Sequence, residues 1–146
     1  MRISTFSDYS LRVLIQAAVR HPQKVTIDEV AEAYGISRNH LIKVIHALGR
    51  AGFIVTQRGR SGGFTLARPA ERISVAEVLK FGENDRPIAE CFDAATNSCV
   101  ITPACRLKGM LAEAQRGFYA VLAKYSLADV CAKPDALLRH LGLSAA

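Results

Sequence analysis

The chain has 146 residues, half of them hydrophobic, which suits one compact unit or a small domain with an extended appendage. No apolar run approaches the roughly 20 residues that span a bilayer, and the N-terminus lacks the apolar core of a signal peptide, so we expect a cytoplasmic protein without a membrane partner. Residues 1–70 contain ten Lys or Arg and four Asp or Glu, whereas residues 71–146 contain nine basic and nine acidic residues. The whole net charge of +6 therefore lies in the first half, which favours nucleic acid as its partner.

Three helices are predicted in the first half from apolar residues that repeat at spacings of three and four. The first covers residues 6–20 and begins at a capping box, in which Thr5 is the cap and Asp8 reaches back to it. The second covers residues 26–34 and the third covers residues 38–51. Each helix follows a hydroxyl side chain that can accept a hydrogen bond from a free backbone N–H group.

A turn at Gly35 joins the second and third helices, because glycine readily adopts the left-handed conformation that ends a helix. Ser37 then caps the third helix. Two short strands are predicted at residues 53–57 and 63–67, with a basic, glycine-rich tip at residues 58–62 between them. A helix-turn-helix followed by such a hairpin is a winged helix. The predicted fold is therefore mainly α-helical with a small β-hairpin wing.

The start of the third helix and the wing carry the side chains that we expect to contact DNA. An arginine can pair with two acceptors of guanine, an asparagine can pair with adenine, and a helix N-terminus can bind a phosphate. The predicted DNA-binding residues are Ser37, Arg38, Asn39, His40 and Lys43 in the helix and Arg58 and Arg60 in the wing. The alternatives are a solvated polar face, or a winged helix that binds another protein.

The second half is predicted to contain a long loop and a long helix. A short helix covers residues 74–82, the loop covers 83–102, and the long helix covers 103–125, followed by short helices at 127–131 and 134–141. The apolar residues of the long helix form one broad stripe on its surface. We interpret it as a dimerisation helix that pairs with its symmetry mate, the alternative being a helix folded back on its own domain.

Three of the four cysteines are close together in this region, at Cys91, Cys99 and Cys105. An odd number of thiols in a chain without a secretion signal favours a metal or iron–sulfur centre over a disulfide. Thr102 and Pro103 predict a helix start that places Cys105 in the first helical turn, where the helix dipole favours the thiolate. The alternative is three unrelated cysteines, one of them buried as a small apolar residue.

The chain is accordingly divided into three functional units. We predict that residues 1–82 form the winged helix-turn-helix DNA-binding domain and that residues 83–105 form a cluster-binding loop. Residues 103–146 then hold the dimerisation helix and the C-terminal helices. A loop of this length in a compact protein is usually functional.

Two other kinds of site are compatible with the cysteines. A zinc or thiol redox sensor could use all four of them, with Cys131 as the fourth ligand, since zinc accepts four thiolates. Without that role Cys131 is interpreted as structural. An iron–sulfur enzyme is the other alternative, but the sequence has no phosphate-binding loop, nucleophile elbow or paired acid–base motif, so we expect no enzymatic activity.

Three segments, residues 6–14, 58–67 and 99–107, resemble the winged-helix family of iron–sulfur regulators that contains NsrR, a bacterial nitric-oxide-sensing repressor, and IscR. The likeness is to the NsrR branch and extends to Asp129. It implies a homodimer that binds a palindromic operator and represses nitrosative-stress genes while its cluster is intact. Nitrosylation of the cluster would release the operator.

The resemblance also implies a set of cluster ligands. Cys91, Cys99 and Cys105 of one subunit, with Asp8 of the partner subunit, would hold a 4Fe–4S cluster. A histidine completes the 2Fe–2S cluster of IscR, and this chain has Lys108 in its place, which makes a 2Fe–2S cluster the less favoured interpretation. The spacing between Cys91 and Cys99 is longer than is usual in the family.

Overall fold

The computed structural model describes residues 2–59, 62–84 and 86–143, and this part of the chain contains seven α-helices and one β-hairpin. The helices are α1 (Thr5–Val19), α2 (Ile27–Tyr34), α3 (Arg38–Arg50), α4 (Val75–Glu83), α5 (Arg106–Leu122), α6 (Leu127–Val130) and α7 (Pro134–His140). The strands are β1 (Ile54–Gln57) and β2 (Gly63–Leu66), and 3₁₀ turns lie at Ala70–Arg72, Glu90–Phe92 and Thr102–Ala104. The prediction of a mainly helical fold with a small hairpin is confirmed.

The helix-turn-helix forms from the local signals that predicted it. Thr26 and Glu29 complete a capping box at the start of α2, with each side chain bound to the backbone of the other residue. Gly35 has φ +62°, the left-handed conformation that ends α2. Ser37 caps α3, because its hydroxyl accepts a hydrogen bond from the backbone N–H of His40.

The wing is fixed to the helices through its second strand. β1 and β2 are antiparallel, with Ile54 opposite Leu66 and Thr56 opposite Phe64. Val25, just before α2, exchanges backbone hydrogen bonds of 2.9 and 2.8 Å with Phe64. The ring of Phe64 is 2% exposed, so the base of the wing is part of the hydrophobic core.

Helix α1 lies at the centre of the molecule and contacts α3, α4, β2 and α6. Its buried face carries Val13, Leu14 and Ala17, which pack with the apolar residues of α2, α3 and the hairpin. Burial of a large aliphatic side chain stabilises a fold by about 1.5–3 kcal/mol. This core holds the helix-turn-helix and the wing in one rigid unit.

The predicted capping box of α1 is wrong. The cap is Ser4, whose hydroxyl accepts a hydrogen bond from the backbone N–H of Ser7, and the helix begins at Thr5. Thr5 is therefore the first helical residue and not the cap, and the backbone N–H of Ser4 donates to Oε1 of Glu83 over 2.8 Å. Asp8 instead pairs with Arg12, one turn further along the helix.

The start of α1 and the end of α4 are in close contact. Ser7 is fully buried and also donates to Oε1 of Glu83, and a Cβ atom added to Gly82 would lie 2.7 Å from Cα of Ser7. Burial alone would raise the pKa of Glu83, but the hydrogen bonds from Ser7 and Ser4 lower it below its usual value. Glu83, the last residue of α4, therefore connects the N-terminus of α1 to the start of the cysteine-containing segment.

Helix α5 is shorter than predicted. Pro103 lies in a 3₁₀ turn, and Cys105 has an extended conformation at φ −78° and ψ 108°, so α5 begins at Arg106 and Cys105 precedes its first turn. Every residue of α5 is at least partly exposed. One side of α5 approaches α4, where Nζ of Lys80 lies 5.4 Å from the centre of the Tyr119 ring. None of the helices in the described part of the chain is both long and apolar enough to cross a membrane.

Candidate functional site

The residues predicted to contact DNA are exposed wherever the structure describes them. Ser37, Arg38, Asn39, His40 and Lys43 are all exposed at the first two turns of α3, and Arg58 is exposed in the wing. Arg60 lies outside the residues that the structure describes. Because the first N–H groups of a helix carry partial positive charge, this end of α3 is suited to a polyanion.

Two contacts at this surface were not predicted. A guanidinium nitrogen of Arg38 donates to the carboxylate of Asp28, in the first turn of α2. The ring of His40 lies 6.3 Å from the ring of Tyr9, which links the start of α3 to α1. The sequence alone gave no signal for either contact, because both join residues of different helices.

The three clustered cysteines lie in the segment between α4 and α5. Cys91 is in the 3₁₀ turn at Glu90–Phe92, Cys99 is in the following loop and Cys105 directly precedes α5. All three are free thiols and half-buried. Within residues 2–59, 62–84 and 86–143 of a single chain, no three His, Cys, Asp or Glu side chains are grouped closely enough to hold a metal ion.

The residues between Cys91 and Cys99 form a turn around Asp93. Its carboxylate accepts hydrogen bonds from the backbone N–H of Ala95 over 2.9 Å and from the hydroxyl of Thr96 over 2.8 Å. The hydrogen bond from Thr96 contributes most to lowering the pKa of Asp93 below its usual value. This turn accommodates the long spacing between the first two cysteines.

Asp8 lies in the first turn of α1 and pairs with a side chain of the same helix. Its carboxylate is 2.8 Å from the guanidinium of Arg12, which lies 5.5 Å from the centre of the Tyr34 ring. These side chains border a cleft of about 350 Å³ that also includes Gly35 and Ile36 of the helix-turn-helix. The pairing of Asp8 with Arg12 could have been found from sequence, since residues four apart in a helix are neighbours.

Cys131 is separate from the other thiols and packs against the core. Its Sγ lies 4.0 Å from the carbonyl oxygen of Ile15, and burial raises the pKa of the thiol to about 11. Metal ligation needs the thiolate. Because burial raises this pKa above that of an ordinary cysteine, the Cys131 thiolate costs more free energy to form, which disfavours the four-cysteine zinc hypothesis.

The chemistry of the donor set fits an iron–sulfur centre. Three half-buried thiols within one segment are soft ligands of the kind that such clusters bind. Cys131 lies outside this segment and is held by the core.

Residues 3–133 match the family Rrf2, described as an iron-dependent transcriptional regulator. The chain belongs to the Rrf2 family. It is therefore a DNA-binding transcriptional regulator and not an enzyme.

Individual relatives agree with this assignment. The chain is 45% identical over 142 residues to the HTH-type transcriptional regulator NsrR of Bacillus subtilis strain 168, covering 97% of both chains. It is 43% identical over 138 residues to NsrR of Shouchella clausii, covering 94% of this chain and 93% of that one. These similarities place the chain beside NsrR within the family.

Solved structures show the same fold. Oxidised CymR of Staphylococcus aureus matches with a TM-score of 0.69 at 26% identity, over 89% of this chain and 95% of that one. IscR of T. potens matches with a TM-score of 0.72 at 21% identity, over 94% and 90% of the two chains.

Proposed function

We propose that the chain is a homodimeric repressor that senses nitric oxide through an iron–sulfur cluster bound by Cys91, Cys99 and Cys105. The observation that carries the proposal is the position of these three thiols. They lie in the one segment that connects the winged helix to α5, so a group bound there is attached to both parts of the molecule. The protein would act in the cytoplasm without a membrane partner.

The exposed apolar surface of α5 supports a homodimer. Leu107 and Met110 are 58% and 56% exposed, Val121 near the other end of α5 is 51% exposed, and Tyr125, just after the helix, is also 51% exposed. Exposed apolar side chains in a continuous row usually mark an interface. A second copy of the same helix is the simplest partner, since symmetric dimers bury the same surface of both subunits.

Asp8 of the partner subunit is the proposed fourth ligand, and the similarity to NsrR is the reason for proposing a 4Fe–4S cluster over the 2Fe–2S type. In a single chain Asp8 is in the first turn of α1, far along the sequence from the thiols. The ammonium group of Lys108 has no lone pair to offer a metal, and its Nζ lies 5.8 Å from the centre of the Phe92 ring. Lys108 therefore does not substitute for a histidine ligand.

The proposed mechanism depends on how Asp8 is connected to the DNA-binding surface. When bound, the cluster supplies iron that reacts with nitric oxide. Asp8 is paired with Arg12, whose guanidinium lies over Tyr34, the last residue of α2. The turn at Gly35 follows directly and leads to the cap of α3. Because α1 also packs directly against α3 in the hydrophobic core, a tie between Asp8 and the partner subunit's cysteine segment would fix the setting of the two recognition helices, and loss of that tie would release it.

The operator is proposed to be palindromic, because a two-fold dimer presents two copies of α3 to DNA. Half-sites about 34–36 Å apart match one turn of the double helix. Arg38 and Asn39 are the proposed base-reading residues. Ser37, His40 and Lys43 contact the backbone or neighbouring bases. Arg58 and Arg60 of the wing are proposed to bind phosphate or the minor groove.

Purification without oxygen tests the proposed cluster. Iron and acid-labile sulfide are counted per chain, with a resonance Raman spectrum to distinguish 4Fe–4S from 2Fe–2S. Serine replacement of Cys91, Cys99 or Cys105 should prevent loading, whereas Cys131→Ser should load normally. Zinc without sulfide would support the zinc or thiol sensor instead, and a protein that binds neither iron nor sulfide after reconstitution would remove the sensor from the proposal.

A further inference from the structure

The loop around Cys99 is held by one side chain, that of Asn97. Its Oδ1 accepts a hydrogen bond from the backbone N–H of Cys99 over 3.2 Å. The same amide contacts the hydroxyl of Thr102, which donates to Oδ1 over 3.3 Å and lies 3.2 Å from Nδ2. Asn97, Cys99 and Thr102 are all half-buried. A single amide therefore binds the segment at both of its ends.

The contact with Thr102 reaches the third cysteine as well. Thr102 begins the 3₁₀ turn before α5, and its carbonyl oxygen accepts a hydrogen bond from the backbone N–H of Cys105 over 3.3 Å. Asn97 thus contacts Cys99 directly and is connected to Cys105 through Thr102. The chain between these two thiols is closed into a compact loop by side chains that are not themselves proposed ligands.

The first cysteine is connected to Asn97 through the turn at Asp93. Asp93 lies two residues after Cys91, and its carbonyl oxygen accepts a hydrogen bond of 3.0 Å from the backbone N–H of Asn97. Asn97 is therefore the residue at which the turn that follows Cys91 meets the loop that contains Cys99. Hydrogen bonds of the segment therefore connect Asn97 to the surroundings of all three thiols.

We infer that Asn97 is a positioning residue for the three-cysteine site, which presumes the proposed cluster. Fixing the backbone of a residue costs conformational entropy, so a loop that is already ordered binds more tightly than a free one. Groups that orient metal ligands typically change metal affinity by roughly 10-fold to 100-fold when they are removed. The Asn97 amide has the contacts that such a group requires.

The test compares variants of the full-length protein loaded with cluster under nitrogen. The measured quantity is the rate at which a chelator, EDTA, removes iron, followed by the loss of the visible absorption band. Asn97→Ala should lose iron roughly 10-fold to 100-fold faster than the native protein. Asn97→Asp should remain close to the native rate, because a carboxylate oxygen can accept from both Cys99 and Thr102. Val100→Ala is the control, since Val100 lies in the same loop and its side chain is 91% exposed.

A second variant keeps the test independent of any folding defect. Thr102→Val removes the hydroxyl that binds Asn97 without changing the size of the side chain, and it should also accelerate iron loss. Equal rates for the native protein, Asn97→Ala and Thr102→Val would overturn the inference while leaving the cluster intact. A native protein that takes up no iron and sulfide would overturn the proposed function and this inference together, so the two failures are distinct.

Discussion

The carboxylate of Asp8 lies 2.8 Å from the guanidinium of Arg12, one turn further along α1. The two side chains are 37% and 39% exposed, so the pair is solvated and is worth only about 0.3–0.5 kcal/mol. A free energy of that size changes an equilibrium by about twofold. Arg12 therefore holds Asp8 only weakly, and the carboxylate of Asp8 remains available to bind a metal.

Asp8→Ala and Arg12→Gln are expected to differ strongly in cluster retention. Loss of a ligand should make Asp8→Ala release iron to a chelator much faster than the native protein. Arg12→Gln removes only a weak competitor for the carboxylate and should change the rate by about twofold or less. Native-like retention by Asp8→Ala would exclude Asp8 as the fourth ligand.

Arginine substitutions are expected to separate base reading from phosphate binding. Arg38→Ala should weaken operator binding by about 1–3 kcal/mol and relax specificity at one base pair in each half-site. Arg58→Ala should weaken binding to all DNA sequences alike and reduce the slope of log affinity against log salt concentration by about one. Arg50→Ala, at the far end of α3, is the control. The measurement is a fluorescence anisotropy titration with single-base operator variants at several salt concentrations, and an unchanged base preference in Arg38→Ala would contradict the assignment.

The sequence predicted the helix-turn-helix well because its signals are local. Thr26, Gly35 and Ser37 each act on backbone groups within four residues. The cap of α1 was missed because Ser4 is fixed by Glu83, which is 79 residues away in the sequence. No local pattern reports such a contact.

The cysteine site was only partly predictable for the same reason. The identity of the thiols can be found by counting, but the proposed fourth ligand lies on another chain. The sequence also misplaced the start of α5, because proline suits a 3₁₀ turn as well as the first turn of an α-helix. The role of Asn97 depends on hydrogen bonds across the loop, which residue spacing does not reveal.

Gly82 is expected to be essential for the packing of α4 on α1. A Cβ atom at this position would lie 2.4 Å from Oγ and 2.7 Å from Cα of Ser7, and the backbone atom cannot move aside easily. Gly82→Ala should therefore lower the free energy of unfolding by about 1–3 kcal/mol. Gly109→Ala is the matched control, since nothing lies within 4 Å of its added Cβ and alanine favours a helix by up to about 1 kcal/mol. Urea titrations of both variants measure the difference, and equal stability of Gly82→Ala and the native protein would contradict this packing.

Cys131 should make stability depend on pH in the alkaline range. Burial raises the pKa of this thiol from 9.0 to about 11, so the unfolded chain ionises first as the pH rises. The stabilisation is complete below pH 9.0 and is lost as the pH rises through about 11. Urea midpoints of the native protein should fall more steeply over this range than those of Cys131→Ala. The pKa of Tyr34 is also raised, chiefly by burial, but Tyr34 is present in both proteins. Parallel pH profiles would show that the Cys131 thiol is not protected by the fold.

The dependence of operator affinity on nitric oxide tests the central claim most directly. Cluster-loaded protein is titrated with nitric oxide under nitrogen, and its affinity for a palindromic operator fragment is measured at fixed salt. We expect full nitrosylation to weaken binding at least about tenfold, a change of about 1.4 kcal/mol. Cluster-free protein with Cys91, Cys99 and Cys105 replaced by serine should show no response. An operator affinity that is the same before and after complete nitrosylation would contradict the account.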